Sequence, residues 1–600
     1  MEKRSISNVS RNISQPALSL RTQGSHASIK PEIASLQGSV ENKKSEHVID
    51  VGSQSSSSSS NKSQAPAEAE AEAEAREATS LATSSQIFNK EEITGYRMYA
   101  IVAGLMLLYF VSALETTVVA TVYIDISNEF NDMSNGIWII TSYLLSNTAV
   151  QPLFGKFSDI VGRFESVVMA TAIFCLGSIL CAVSNSMAML IASRAIQGIG
   201  GGGLMTMVSV VLSDVTTERD RGKYTGFLAS SWGIASAVGP VMGGAIVQNS
   251  SWHIIFWINL PISIPALIVL FCALKIPKPQ GTARQKLARI DFLGAVTSQL
   301  CIIPLIVAFA WGGQGYSWKS ARVLATIGGG VAMGIVCLVV EWKVAVEPII
   351  PLRLFAIRNV AASALGHFCL GSCVYAPLMF VPSYELSVQQ ESEISAGLHL
   401  LPLVGSMVVA AGVGGAITTR YGKYRELIWA CGVFIALGNS LLILYDLDTT
   451  NAKRIGFLVL SGLGLGFGVQ TMLIAAQCAV KGLDMAATTT LMLFMRTLGG
   501  IFALSILSSV LNTNLRSGAA SLSRAYPEYA SVISNTLNDQ SIIGSDASIP
   551  LQVRLGLRSM FQDAMHKVFI GLAPFSGLLV LSTLLFAHIE LENRRKRTIK

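Results

Sequence analysis

Fourteen apolar stretches recur between residues 98 and 588. Each is roughly 20 residues long, enough to cross about 30 Å of hydrocarbon at 1.5 Å per residue. They lie near 98–122, 136–154, 166–184, 188–212, 224–247, 253–274, 292–312, 321–341, 361–383, 395–418, 427–446, 455–478, 487–511 and 566–588. Hydrocarbon admits only structures that satisfy their own backbone, and runs of this length predict helices rather than barrel strands. The pattern predicts an all-α membrane protein arranged as six, two and six spans.

The polar segments divide the chain further. Residues 1–95 hold a serine run at Ser55–Ser60 and an Ala/Glu repeat from Ala67 to Ala75. Large apolar residues are too sparse there to build a core, so a disordered cytosolic tail is expected. A six-helix bundle over 96–275, a basic loop over 276–291 and two extra helices over 292–345 follow. A second six-helix bundle is expected over 346–590, with a long outward loop at 512–565, then a basic tail over 591–600. No cleavable signal peptide is expected from the polar N-terminal segment.

Only 14% of the 600 residues are charged, against about 25% in ordinary soluble domains. The basic residues recur in alternate loops: Lys156 and Arg163; Arg219, Arg221 and Lys223; Lys343, Arg353 and Arg358; Arg420, Lys423 and Arg425. By the positive-inside rule these loops and both termini face the cytosol, so the net charge of +7 reports topology and not nucleic-acid binding. All nine cysteines fall within or beside apolar runs and read as small packing residues. The histidines do not cluster, and no metal site is expected.

Against this apolar background, charged and polar groups at membrane depth become candidates for function. Glu115 lies in the middle of the first span and can carry a proton, attract a cationic solute or alternate between the two. Arg194 in the fourth span is its natural counter-charge, with Gln197 three residues on. Structural ion pairing is the competing explanation for both. Tyr143, Asn147 and Gln151 share one helix face in span two and are candidate cavity-lining groups. Gln470 and Gln477 are their counterparts in the second half. Between spans two and three the chain reads Gly155-Lys-Phe-Ser-Asp159-Ile-Val-Gly162-Arg163. With Asp214 and Arg221 after span four, these residues can form an electrostatic gate on the cytosolic side.

The loop pattern G-x-x-x-D-x-x-G-R resembles the signature loop of the major facilitator superfamily. Arg194-Ala-Ile-Gln197-Gly198 resembles its R-x-x-Q-G motif. Gly239-Pro240-Val-Met-Gly243-Gly244 resembles the antiporter motif G-P-x-x-G-G, where the proline invites a helix bend. Trp252-His-Ile-Ile-Phe-Trp-Ile-Asn259-Leu-Pro261 is similar to the start of span six in fourteen-spanner drug:proton antiporters, a branch that includes fungal vacuolar basic amino-acid transporters. The second half matches more loosely, through Arg420-Tyr-Gly-Lys-Tyr-Arg425 and Arg496-Thr-Leu-Gly-Gly500. The resemblance implies a major facilitator fold, and it implies a role for Arg194 in proton transfer.

No G-x-x-x-x-G-K-[ST] loop occurs, so ATP-driven pumping is unsupported and a proton gradient is the expected energy source, with no cofactor. The expected activity is antiport of a small organic solute against protons by alternating access, with export of a drug or toxic metabolite as the expected task. Vacuolar basic amino-acid transport and a non-transporting nutrient sensor are the alternatives. The expected partners are the solute, protons and the lipid bilayer, with no nucleic acid and no obligate protein. The protein is not expected to be an enzyme. Residence in the plasma or the vacuolar membrane is expected.

Overall fold

The computed structural model describes residues 95–132, 135–274, 291–314, 316–343, 352–391, 393–446, 449–480, 484–537 and 549–587. The expected N-terminal tail, most of the basic loop at 276–291 and the basic C-terminal tail lie outside the described residues.

Within them the chain is helical and has no strand. The first half comprises α1 (Tyr96–Glu129), α2 (Ile137–Val161), α3 (Arg163–Ala182), α4 (Met187–Val215) and α5 (Glu218–Asn249), then a span in two pieces, α6 (His253–Trp257) and α7 (Asn259–Ala273). The extra pair is α8 (Phe292–Gln314) and α9 (Ala321–Lys343). The second half comprises α10 (Arg358–Ser387), the short α11 (Glu393–Leu398), α12 (Leu401–Tyr421), α13 (Arg425–Leu441), α14 (Asn451–Cys478) and α15 (Met485–Ala525), then α16 (Ala530–Asn535) and α17 (Leu551–Leu584).

Thirteen of these helical segments are long and apolar enough to cross a membrane. The helix α2 is the remaining expected span. Its 25 residues are diluted by Ser142, Ser146, Asn147, Thr148 and Gln151, yet it packs along α4 inside the first half. Local chemistry sets several boundaries. Ser186 accepts from the Met189 amide, and Thr217 accepts from the Asp220 amide, so each caps the helix that follows. Gly162 takes φ +130° between α2 and α3, a conformation that L side chains rarely adopt.

The segment expected as a long outward loop at 512–565 is mostly helix instead. The helix α15 runs 41 residues to Ala525, and α17 begins at Leu551. At 1.5 Å per residue α15 measures about 60 Å, roughly twice the hydrocarbon thickness. Leu511, Leu515 and Ala519 on α15 share a core with Val553, Leu557 and Phe561 on α17. This apolar stripe continues the helices beyond the span, where a loop would leave it exposed.

The two halves meet along α5 and α12, and along α2 and α15. Near the basic-loop ends of α5 and α12, a Cβ built on Gly415 would stand 2.2 Å from the Gly222 carbonyl oxygen. Backbones approach this closely only where side chains are absent. The extra pair sits on one flank. There α8 touches both α15 and α2, whereas α9 packs chiefly on α8.

Candidate functional site

Two polar centres emerge from these helices. The first is enclosed in the first half. Glu115 on α1 and Arg194 on α4 are each only 1% exposed. Arg194 Nη1 donates to Glu115 Oε1 at 2.5 Å and to Gln197 Oε1 at 2.7 Å. Asn259, at the start of α7, donates to Glu115 Oε2 at 2.7 Å and to the Ser178 hydroxyl at 2.8 Å. Gln197 Nε2 closes the circuit on that same hydroxyl at 2.7 Å. Arg194 also donates from Nε to the Ile139 carbonyl at 3.0 Å and lies 4.3 Å above the Tyr143 ring. Five helices thus hold one acid and one guanidinium in mutual satisfaction, the condition under which buried charge is tolerated.

The second centre is a cleft between the halves, about 870 Å³ with the open solvent it contains. The first half contributes Tyr109, Ser209, Ser213, Arg221, Thr225 and Trp232 among others; the second contributes His367, Tyr375, Gln470, Gln477 and Arg496. Arg221 reaches across the halves, donating to Gln477 Oε1 at 3.0 Å and to its own side's Ser213 carbonyl at 3.0 Å. Gln470 donates back to the Thr225 carbonyl at 2.8 Å. Arg496 lines the cavity together with the phenols of Tyr109 and Tyr375. The His367 ring nitrogen Nδ1 lies 2.9 Å from the Ser363 carbonyl oxygen.

The sequence candidates therefore part company. Gln470 and Gln477 line the cavity. Tyr143, Asn147, Gln151 and Gln197 are buried but are not among its lining residues. A shared helix face identified the polar side of α2 and not its neighbour. Tyr143 donates to the Ser112 carbonyl at 3.3 Å, and Gln151 Nε2 bonds Asn147 at 3.1 Å and Thr497 at 3.5 Å. Glu115 and Arg194 likewise face each other and not the cavity. Asn259, Ser178, Tyr109, His367 and Arg496 were not singled out from the sequence as site residues. Arg496 carried the same signal as Glu115, a charge within an apolar span.

At the basic-loop end, Arg163 bonds Asp159 at 2.7 Å and Asp214 at 2.7 Å, and donates to Ser158 at 2.6 Å. Burial holds the Asp159 carboxyl above the usual carboxylate range, against the opposing pull of Arg163. A Cβ on Gly155 would stand 2.2 Å from Thr490 Oγ1 of the second half, so this loop lies where the halves touch. Arg221 belongs to the cavity wall and not to the Asp159–Arg163–Asp214 cluster. In the antiporter-like motif, a Cβ on Gly239 would meet Thr117 at 2.1 Å and one on Gly243 would meet Thr121 at 2.4 Å, so these glycines seat α5 on α1. Gly244 has nothing within 4 Å, and residue 240 lies within one continuous helix. No group of three or more His, Cys, Asp or Glu side chains suited to a metal occurs among the described residues.

Comparison with known proteins gives these centres a context. The Major Facilitator Superfamily profile matches residues 105–504. The chain is 33% identical over 501 residues to the efflux pump dotC of Dothistroma septosporum, covering 82% of this chain and 84% of that one. It is 30% identical over 503 residues to the MFS-type efflux pump MMF1 of Pseudozyma antarctica, covering 83% and 92%. In fold it is similar to a bacterial homologue of the human lysosomal transporter Spinster, with a TM-score of 0.51, 14% identity and coverage of 82% and 98%.

Proposed function

Because the chain belongs to the Major Facilitator Superfamily and is an integral multi-pass transporter, we propose that it exports a small organic solute by proton antiport. The observation that carries this reading is the pairing of two separate centres, a cleft lined by both halves and an enclosed acid–guanidinium pair in the first half. The names of the relatives, which span more than four-fifths of this chain, support export in particular. The fourteen-spanner drug:proton antiporter branch is the proposed place within the superfamily.

The scheme separates cargo from coupling. The solute occupies the cavity, whose wall is shared by both halves and is remade when they rock. Glu115 exchanges the proton. When it is ionised, Arg194 and Asn259 hold α1, α4 and α7 together through its two oxygens. When it is protonated, the charge on Arg194 loses its compensation and the circuit rearranges. One proton state thus favours one packing of the first half, which is what a two-state element requires. Lys and Arg in alternate loops support cytosolic termini, in the plasma or vacuolar membrane. On that orientation Arg163 latches the cytosolic side through Asp159 and Asp214. Import of basic amino acids is less well supported, because no Asp or Glu stands among the described residues that line the cavity.

The test is proton-driven flux in vesicles from a host that lacks its own pumps. An imposed pH step should drive accumulation of solutes from a toxic-compound panel, and a protonophore should abolish it. Glu115→Gln should lose that flux while reaching the membrane at normal abundance. Flux equal to the parent's in this variant defeats the coupling scheme.

A further inference from the structure

Charge is also buried at the end of the second half opposite the basic loops. Glu385, in the last turn of α10, is 1% exposed, and its Oε2 accepts from Arg454 Nη1 in the first turn of α14 at 2.5 Å. His399 stands where α11 passes into α12, with its ring nitrogen Nδ1 3.4 Å from that same oxygen. Among the described residues, Glu385 Oε1, His399 Nδ1 and Arg454 Nε are shielded from solvent and have no hydrogen-bond partner. Buried polar atoms in that condition are uncommon and costly. None of the three residues belongs to the Glu115 circuit or to the lining of the cleft.

The spacing accounts for them. With no proton between them, an imidazole nitrogen and a carboxylate oxygen present two facing lone pairs; with one, they form a charge-assisted pair. Imidazole changes charge between about pH 5 and 8. The His399 side chain is 26% exposed, so it meets solvent where Glu385 does not. We infer that His399 and Glu385 form a second proton-binding site, separate from Glu115, with Arg454 holding the carboxylate in place. The other titratable groups around it are Tyr384 on α10, Glu391 after it, Tyr445 after α13 and Arg558 on α17. The Glu391 amide donates to the Glu385 carbonyl at 3.0 Å, the Tyr445 hydroxyl to the Arg454 carbonyl at 3.4 Å, and Arg558 to the Val388 carbonyl at 2.9 Å. Glu393 is the acid of α11 itself; residues 238–249 of α5 and 401–419 of α12 include no titratable side chain. The site lies at a joint, since α11 packs on α10 of its own half and on α5 of the first half. A bound proton pins the α11–α12 turn to α10, and its loss releases the turn and changes how α11 rests on α5. On the orientation proposed above, acidity outside or in the lumen thereby sets this mouth of the cleft.

The probe is the proton itself, applied to the purified full chain with no solute present. Spin labels at Asn249, the exposed end of α5, and at Leu555, exposed on α17, report the spacing of the halves at this mouth. Between about pH 5.5 and about pH 8, the ratio of two distance populations should change about threefold or more, the scale of one partly screened charge pair. The variants are made in the Glu115→Gln background, which silences the other proposed proton site and should keep the step. There His399→Gln and Glu385→Gln should each abolish it, and Glu393→Gln should not. His399→Arg, charged at both pH values, should hold the acid-side population throughout, and an unchanged thermal midpoint in the two His399 variants separates a lost proton from lost folding. No step in the parent, a step lost with Glu115→Gln alone, or a step that survives His399→Gln overturns the site. Flux measurements separate this site from the export reading. A parent that shows the step but no proton-driven flux defeats export and leaves the site standing. A parent with proton-driven flux and no step leaves export standing and defeats the site.

Discussion

Charge is buried in two different ways in this molecule. In the first half, Glu115 and Arg194 satisfy each other inside a ring completed by Gln197, Ser178 and Asn259. Between the halves, Arg221 donates to Gln477 and to the Ser213 carbonyl, and with Arg496 it borders an open cleft. The difference teaches where to look for cargo. A closed circuit has little left to offer a solute, and in the proposed scheme a proton opens it. A wall drawn from both halves changes shape when they move.

The largest effect should come from opening the closed circuit. Arg194→Met leaves the Glu115 carboxylate without its cation and should cost about 3–5 kcal/mol, read as a fall in thermal midpoint and in membrane abundance. The milder Glu115→Gln removes the proposed proton site while keeping the shape. If Arg194→Met proves as stable as the parent, the circuit is not the structural element described here.

Next comes the contact that closes the cleft. Gly415→Leu places side-chain carbon against the Gly222 carbonyl and overpacks the α5–α12 contact. A cost of about 1–3 kcal/mol falls on the state in which these ends touch, which shifts its population roughly 5- to 150-fold. Distances between spin labels at these helix ends should lengthen, and turnover should fall by a similar factor.

A smaller effect is expected at the Arg163 cluster. Its side chains are about one-fifth exposed, and pairs of that kind contribute about 0.2–1 kcal/mol. Asp159→Asn should therefore alter turnover about two- to fivefold and leave solute affinity alone. The sign for stability runs the other way. A carboxyl whose pKa is raised in the folded state contributes most below the ordinary carboxylate range, and that contribution is lost as pH rises through the raised value. The neutral Asn side chain should thus leave the thermal midpoint at neutral pH equal to or slightly above the parent's. The smallest change is Gln299→Leu, which deletes one bond to the Ala149 carbonyl and should cost about 0.6 kcal/mol.

Much of the architecture was legible because hydrocarbon allows so few solutions. Apolar length alone located most of the helices, and the scarcity of charge at depth pointed to Glu115 and Arg194. The cavity was less legible. Its wall joins residues as far apart as Tyr109 and Arg496, and helical periodicity marks the polar side of a span without naming the helix it meets. Hence Tyr143 and Asn147 looked alike from the sequence to Gln470 and Gln477, yet only the glutamines border the open space. Arg496 was visible as a charge within an apolar run, but its relation to Arg221 exists only once both halves are assembled. The helical extension of α15 past residue 511 was hidden for another reason. Its stripe of Leu515 and Ala519 is amphipathic and too short of apolar residues to register as a span.

The extra pair of helices has a mechanical consequence. On its flank, α8 is bonded to the first half through Gln299 and the Ala149 carbonyl, while Phe309 rests on Phe502 of the second half at 4.9 Å. The turn after α8 is tied to that same half, Trp318 donating to Ser509 at 2.8 Å. Any swing of one half against the other must shear this strap, and the weaker anchor gives first. The pair thus works as a travel stop that rides with the second half and limits how far the cleft can gape on its side.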